Sequence, residues 1–426
     1  MLQKGPFTVG HTPPLHGLFS AEARHWVNSL RDDQLIRTKY RAIRSQIFDF
    51  LDITNFSDIL PLIDNQSVRA RAITRSHQLL NNMFAIGTEH PTEIKRYLRD
   101  YAHAADDVIN SLRNKVLAPY RSHIEITNEI ETMIEPVELL LLLFDNRYHR
   151  KARFEAKRKI ALMGLAASIE QRERETDIER KFADFLDFLN THVWSPRLKI
   201  GDLEISYLYS QHNDKDFTCT NVLVLDEIQA RALQLQHGEK LTLIKRRSFT
   251  DSNREVPIYV TIRKKQPAAK VLKLLRKNQK NPATAVDDEL GLMAVLNSIA
   301  DVKHFLRHLT RSAVKADSFM TLEDISDTLT GGNYQGTATG SSAKTPMLKF
   351  FARLGGMRVE FIIHTNKSYL NYIYQRDVAH DEYEVKRLFD TGVAEFLFPQ
   401  DIYHLNMDEI RARQLRAARK QIEECS

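Results

Sequence analysis

From Ala21 to Leu189 apolar residues recur three and four positions apart with charges between them, the spacing of amphipathic helices. Asp33 to Leu51 and Glu170 to Leu189 show it most clearly. Prolines at 61, 91, 119 and 136 fall where helices should start or stop. The pattern changes at Trp194-Ser195-Pro196. Short β-like runs follow at Arg197–Ile200, Leu203–Tyr209, Asn221–Leu225, Lys240–Ile244 and Val256–Ile262. Strands and helices then alternate. A basic helix is expected over Pro267–Asn278, a strand over Leu290–Leu296, and a helix over Ile299–Thr310. Met347–Leu354 and Met357–His364 read as a hairpin around Gly355-Gly356. Tyr369–Phe389 reads as one long helix and Asp408–Glu424 as a charged terminal helix. Thr330–Pro346, rich in Gly, Ser and Thr, reads as a loop that closes over a ligand or as a plain connection.

The pattern predicts an α+β protein with a boundary near Trp194. Residues 1–194 would form an all-helical domain that regulates or binds a partner, and residues 195–426 a mixed β-sheet flanked by helices. At 426 residues the chain is long enough for two cores.

The most apolar run, Val137–Phe144, is interrupted by Glu138 and far short of the roughly 20 residues a bilayer requires, and the N-terminus lacks the apolar core of a secretory signal. Cys219 and Cys425 are the only cysteines, too few for a disulfide framework or a cysteine metal site. A cytoplasmic location without membrane attachment is expected. The net charge of +6 suits anionic partners, metabolite phosphates as readily as nucleic acid.

Candidate chemistry lies in the C-terminal half. Asp287 and Asp288 precede the apolar strand Leu290–Leu296, and Glu360 sits inside another. Acids there are either solvated and salt-bridged or hold a divalent metal against a nucleotide. Arg263, Lys264 and Lys265 stand where a strand leads through Pro267 into a helix, an arrangement that attracts anions. Lys273, Arg276 and Lys277 on that helix read as a solvated face. His103 with Asp106, and His304 with His308, resemble metal pairs only superficially and are expected to be ordinary helix residues.

The ordered series Arg263-Lys264-Lys265-Gln266-Pro267, Asp288-Glu289-Leu290-Gly291-Leu292, Gly332-Asn333-Tyr334-Gln335-Gly336 and Val359-Glu360-Phe361-Ile362-Ile363-His364-Thr365 resembles the synthetase domain of RelA/SpoT-type alarmone synthetases. It continues into Ala379-His380-Asp381-Glu382-Tyr383-Glu384 and spans roughly residues 240 to 400. The resemblance implies a nucleotidyltransferase-like fold and Mg²⁺-dependent transfer of a pyrophosphate or nucleotidyl group from ATP to the hydroxyl of a nucleotide or RNA. Asp288 and Glu360 would be catalytic and metal-binding. Arg263, Lys264, Lys265 and His364 would belong to the nucleotide-binding set, and Tyr334 would stack on the acceptor base. Nucleotides are the implied partners, with tRNA or other RNA next, and a protein or second copy through the helical half. Met293, Gln335 and His364 stand where the family carries cations. A non-catalytic nucleotide sensor or RNA-binding protein on the same fold is the rival expectation.

Overall fold

A computed structural model describes residues 34–195, 203–286, 288–332 and 345–424. The expected strand Arg197–Ile200, Asp287, Tyr334, Gln335 and Cys425 lie outside them. The protein is α+β, with helices followed by an eight-stranded mixed sheet flanked by helices. No helix among the described residues is long and apolar enough to cross a membrane.

The chain forms two compact units, each assembled from separate stretches. The first takes the described residues up to Glu175 together with Pro267–Pro282 and Ala394–Asn406; the second takes the rest. The division falls at residues 175 and 176 rather than at the change of pattern near Trp194.

The helical unit begins with α1 (Gln34–Leu51), α2 (Ile59–Asp64), α3 (Gln66–Met83), α4 (Pro91–Lys115), α5 (Asn128–Thr132), α6 (Pro136–Leu142) and α7 (Arg150–Thr176). Leu51, Ile59, Leu62, Ala72, Val137 and Leu141 form one core. The Asn65 side chain accepts from the Ser67 amide at 2.9 Å and so caps α3, the usual use of Asn at that position. Helix α7 carries buried charges, each with a partner. Lys159 donates to Asp106 at 3.0 Å and to the carbonyls of Ile130 and Glu131. Glu155 accepts from the Thr127 amide and the Tyr403 hydroxyl, and Arg158 donates to the Leu397 carbonyl.

The sheet unit opens with α8 (Ile178–Phe188), then β1 (Glu204–His212), β2 (Cys219–Leu225), α9 (Glu227–Arg231), β3 (Glu239–Asp251) and β4 (Arg254–Lys264). The next helix, α10 (Pro267–Lys277), belongs to the helical unit and packs against α4. There follow α11 (Pro282–Ala285), β5 (Leu290–Leu296), α12 (Ile299–Lys315), β6 (Met320–Asp327), β7 (Leu348–Leu354) and β8 (Met357–Thr365). The chain ends with α13 (Asn366–Tyr374), α14 (His380–Asp390), α15 (Val393–Leu397), α16 (Gln400–Tyr403) and α17 (Met407–Glu424).

The strand order is β2-β1-β3-β4-β5-β8-β7-β6, and only the β5–β8 pair is parallel. One sheet face packs under α8 and α12, where Phe185, Leu292, Phe305, Phe350 and Phe361 meet. The other packs partly under α13 through Tyr369 and Leu370.

The hairpin around Gly355 and Gly356 is as expected. Both glycines have positive φ, +53° and +81°, which suits the tight turn that matches strand twist. The expected helix over Tyr369–Phe389 is two helices, α13 and α14, because Asp377 adopts a left-handed φ of +63° between them. Strands β3 and β4 run past their expected limits into a turn at Ser252 and Asn253, both at positive φ.

Candidate functional site

The site is set by the register of β4, β5 and β8. A strand flanked on both sides and covered on both faces reads as continuous apolar sequence, as Leu290–Leu296 does. Against that background Glu360, inside β8 and only 4% exposed, is conspicuous. Arg263 lies opposite Gly291, and Gly291 lies opposite Glu360, so the three form a row on one face of the sheet.

Glycine at the middle of that row has a steric reason. A Cβ on Gly291 would stand 3.1 Å from Arg263 Nε and 3.4 Å from its Cγ. Without one, the Arg263 side chain crosses β5, and its Nη2 donates to Glu360 Oε2 at 3.1 Å. The other oxygen, Oε1, lies 2.9 Å from Lys349 Nζ. A buried carboxylate without such partners would cost several kcal/mol, roughly, in desolvation. Lys349 comes from β7, where Phe351 faces Glu360 and Lys349 lies two positions away on the same face.

A second acid–base pair lies beside the first. The Lys265 amide donates to the Glu289 carbonyl at 2.9 Å, carrying the β4–β5 ladder one step past the strand end. There the Lys265 ammonium reaches Asp288 Oδ2 at 2.5 Å.

The remaining candidates go elsewhere. Lys264, alternating with Arg263 and Lys265 along the strand, turns away from that row to an ion pair with Glu179 in the first turn of α8. His364 is fully buried, its Nδ1 3.2 Å from Ser368 Oγ and its ring 5.3 Å from that of Tyr372. Burial pushes its pKa down to about 4, so this member of the expected nucleotide-binding set is a neutral, buried group where the family carries a cation. On α10, Lys273 is buried rather than solvated, and the fully buried Lys270 pairs with Glu173 at 2.6 Å.

The residues of both superficially metal-like pairs have other partners. His304 bonds Asp251 at 2.7 Å, His308 bonds the Val193 carbonyl at 2.7 Å, and Asp106 is the partner of Lys159. Cys219 is buried, and its thiol is pushed up to about 11 by that burial, which makes it unreactive.

Two contributors were missed from sequence. Lys349 could have been found by counting back from the Gly355-Gly356 turn, which fixes the partner of Glu360 and the face they share. Tyr372 could not, because it arrives on α13. Its hydroxyl is pushed up to about 12, chiefly by burial, with Arg263 opposing and Glu384, Asp381 and Glu360 reinforcing. It therefore feels the charges of the row.

Among the described residues no group of three or more His, Cys, Asp or Glu could hold a metal. Asp288 and Glu360 are nevertheless hard oxygen donors, and Mg²⁺ typically takes one or two carboxylates and completes its shell with water and substrate phosphates. As hard carboxylates they match that ion by donor type, while in this structure each is held by cations instead. Arg263, Lys265 and Lys349 add three cations beside the two acids. Comparison with family models, curated proteins and solved structures found no match.

Proposed function

We propose that the sheet unit is a RelA/SpoT-like, nucleotidyltransferase-type enzyme that transfers a pyrophosphate or nucleotidyl group from ATP to the hydroxyl of a nucleotide or RNA. The observation that carries this reading is the Arg263–Gly291–Glu360 row with Lys349 on its second oxygen and the Lys265–Asp288 pair alongside. Phosphoryl chemistry asks a protein for positioning and charge neutralisation more than covalent help.

The ion pairs suggest how substrate would prepare the site. In the free protein both Glu360 oxygens are engaged by cations. Triphosphate oxygens would compete for Arg263 and Lys349, loosening their hold on Glu360. The freed carboxylate would then accept the proton of the acceptor hydroxyl. For pyrophosphate transfer the acceptor oxygen bonds to the β-phosphorus, the bond from that phosphorus to the α,β-bridging oxygen breaks, and AMP leaves. For nucleotidyl transfer the attack is on the α-phosphorus and pyrophosphate leaves. Mg²⁺, held by Asp288, would neutralise phosphate charge, and Glu360 would join it as a ligand in the alternative to serving as the base.

A non-catalytic nucleotide sensor is the second reading, favoured by His364, which is buried and neutral where the family resemblance leads one to expect an arginine. The two separate in one experiment. Purified protein is incubated with Mg²⁺ and ATP labelled at the γ or the α position, with guanosine and adenosine nucleotides and tRNA as acceptors. The enzyme reading expects label on an acceptor, from the γ position for pyrophosphate and the α position for nucleotidyl transfer. Binding without label transfer would favour the sensor.

A further inference from the structure

On the sheet face opposite the Glu360 row, α12 buries Val302, Phe305, Leu309 and Ala313 in the core. Its outer side presents Lys303, Arg307, Arg311 and Lys315, all exposed. Steps of four residues set these cations about 6 Å apart along a ridge of about 18 Å. Like charges at this spacing destabilise a helix. A merely solvated face would alternate them with acids.

Two acids lie buried beneath this ridge, and Asp317 just beyond its C-terminal end is exposed. Asp251, 3% exposed, accepts from His304 at 2.7 Å and from Arg311 at 2.8 Å. Asp301, also buried, accepts from Arg254 at 3.0 Å. Arg254 follows the β3–β4 turn, and both arginine side chains remain 60% exposed. Buried carboxylates thus orient two guanidinium groups whose outer faces are open. Among the described residues Lys303, Arg307 and Lys315 form no salt bridge with an acid; Arg307 lies against the His304 ring and within the field of Asp251.

We propose that the α12 ridge, with Arg254 beside it, binds the phosphate backbone of a nucleic acid. Charge complementarity selects this occupant. The surface is a row of four evenly spaced cations with Arg254 beside it, and buried carboxylates preorganise Arg311 and Arg254. The ridge lies across the sheet from Glu360, so it is a docking surface and not the transfer site, and it stands whether or not transfer occurs.

The test is fluorescence anisotropy with a labelled 20-nucleotide single-stranded RNA, its DNA counterpart and a duplex RNA, between 50 and 300 mM KCl. Five contacts give a slope of log affinity against log salt of about −3.5 to −4.5. The triple variant Lys303→Gln, Arg307→Gln, Lys315→Gln leaves the arginines that satisfy Asp251 and Asp301. It is expected to weaken binding at least tenfold and to reduce the slope by about 2 to 3, with an unchanged circular-dichroism melt. Glu360→Gln is expected to bind like the parent protein, which separates this surface from the proposed enzyme. No binding at 50 mM KCl, or an unchanged affinity and slope in the triple variant, overturns the proposal. So does equal, variant-sensitive binding to phosphatidylserine vesicles with none to nucleic acid.

Discussion

Glu360 is held on both oxygens, and the consequences of removing its charge differ for folding and for chemistry. Glu360→Gln keeps the volume of the side chain but leaves Arg263 and Lys349 facing each other. Arg263 is half exposed, so water screens much of the repulsion. A stability loss of about 1–2 kcal/mol is expected in urea denaturation, against a loss of label transfer of about a hundredfold or more. Transfer at the parent rate would remove Glu360 from the mechanism. Gly291→Ala separates the same terms differently. The added methyl meets the flexible Arg263 side chain rather than backbone, so stability should change by less than about 1 kcal/mol. The Arg263–Glu360 bond would be displaced, and nucleotide affinity should fall. Unchanged affinity in the Gly291→Ala variant would mean that the crossing of β5 does not matter.

His364 gives a pH dependence of known sign. Its folded-state pKa of about 4 lies below the ordinary 6.5, so the unfolded chain binds the extra proton between those values. Stability from this group is complete above about pH 7 and declines as pH falls through that window, by about 2 kcal/mol between pH 7 and pH 5. His212 and His308, also lowered by burial, add to the decline. His364→Leu should flatten the profile by about that amount when unfolding is followed at the two pH values. An equally steep profile in the variant would assign the decline to other groups.

At the scale of elements, what could be read in advance was whatever depends on near neighbours in sequence. The buried strand Leu290–Leu296, the β7–β8 hairpin and its glycine turn were legible because apolar runs and paired glycines have local causes. Strand β6 was not: Met320–Asp327 carries Glu323 and Asp324 on an edge, where charge is tolerated and the apolar signal fades. The acids and cations of the candidate site were legible as residue types. Their pairing was not, because which of Arg263 and Lys264 faces Glu360 is decided by strand register. The same limit hid the charges of α7. Lys159→Ala would leave Asp106 and two carbonyls without their donor in a buried setting, and a loss of about 3–5 kcal/mol is expected. A loss below about 1 kcal/mol would mean that water replaces the ammonium there.

For the molecule as a whole, the two units are interleaved in sequence, and this decides what a truncation can do. A cut at Trp194, where the pattern changes, would remove α8 from the sheet unit. Ile178, Phe185 and Leu189 belong to the core that includes Leu292 and Phe361. A cut at residue 175 would spare that core but still divide the helical unit. Residues 34–175 alone would lose α10, and with it the Lys270 partner of Glu173. They would also lose Ala394–Asn406, which supplies the Leu397 carbonyl for Arg158 and the Tyr403 hydroxyl for Glu155. Arg158 and Glu155 are both buried, so each loss removes a hydrogen-bond partner from a charged group in the interior. Fragment 1–175 is therefore expected to lack a cooperative thermal transition, and fragment 195–426 to be less soluble than 176–426. Adding back 267–282 and 394–406 through short linkers should restore cooperative melting to the helical fragment. Should fragment 1–175 melt cooperatively by itself, at a temperature near that of the intact chain, the buried contacts from the two later segments would not be part of what holds the helical unit together.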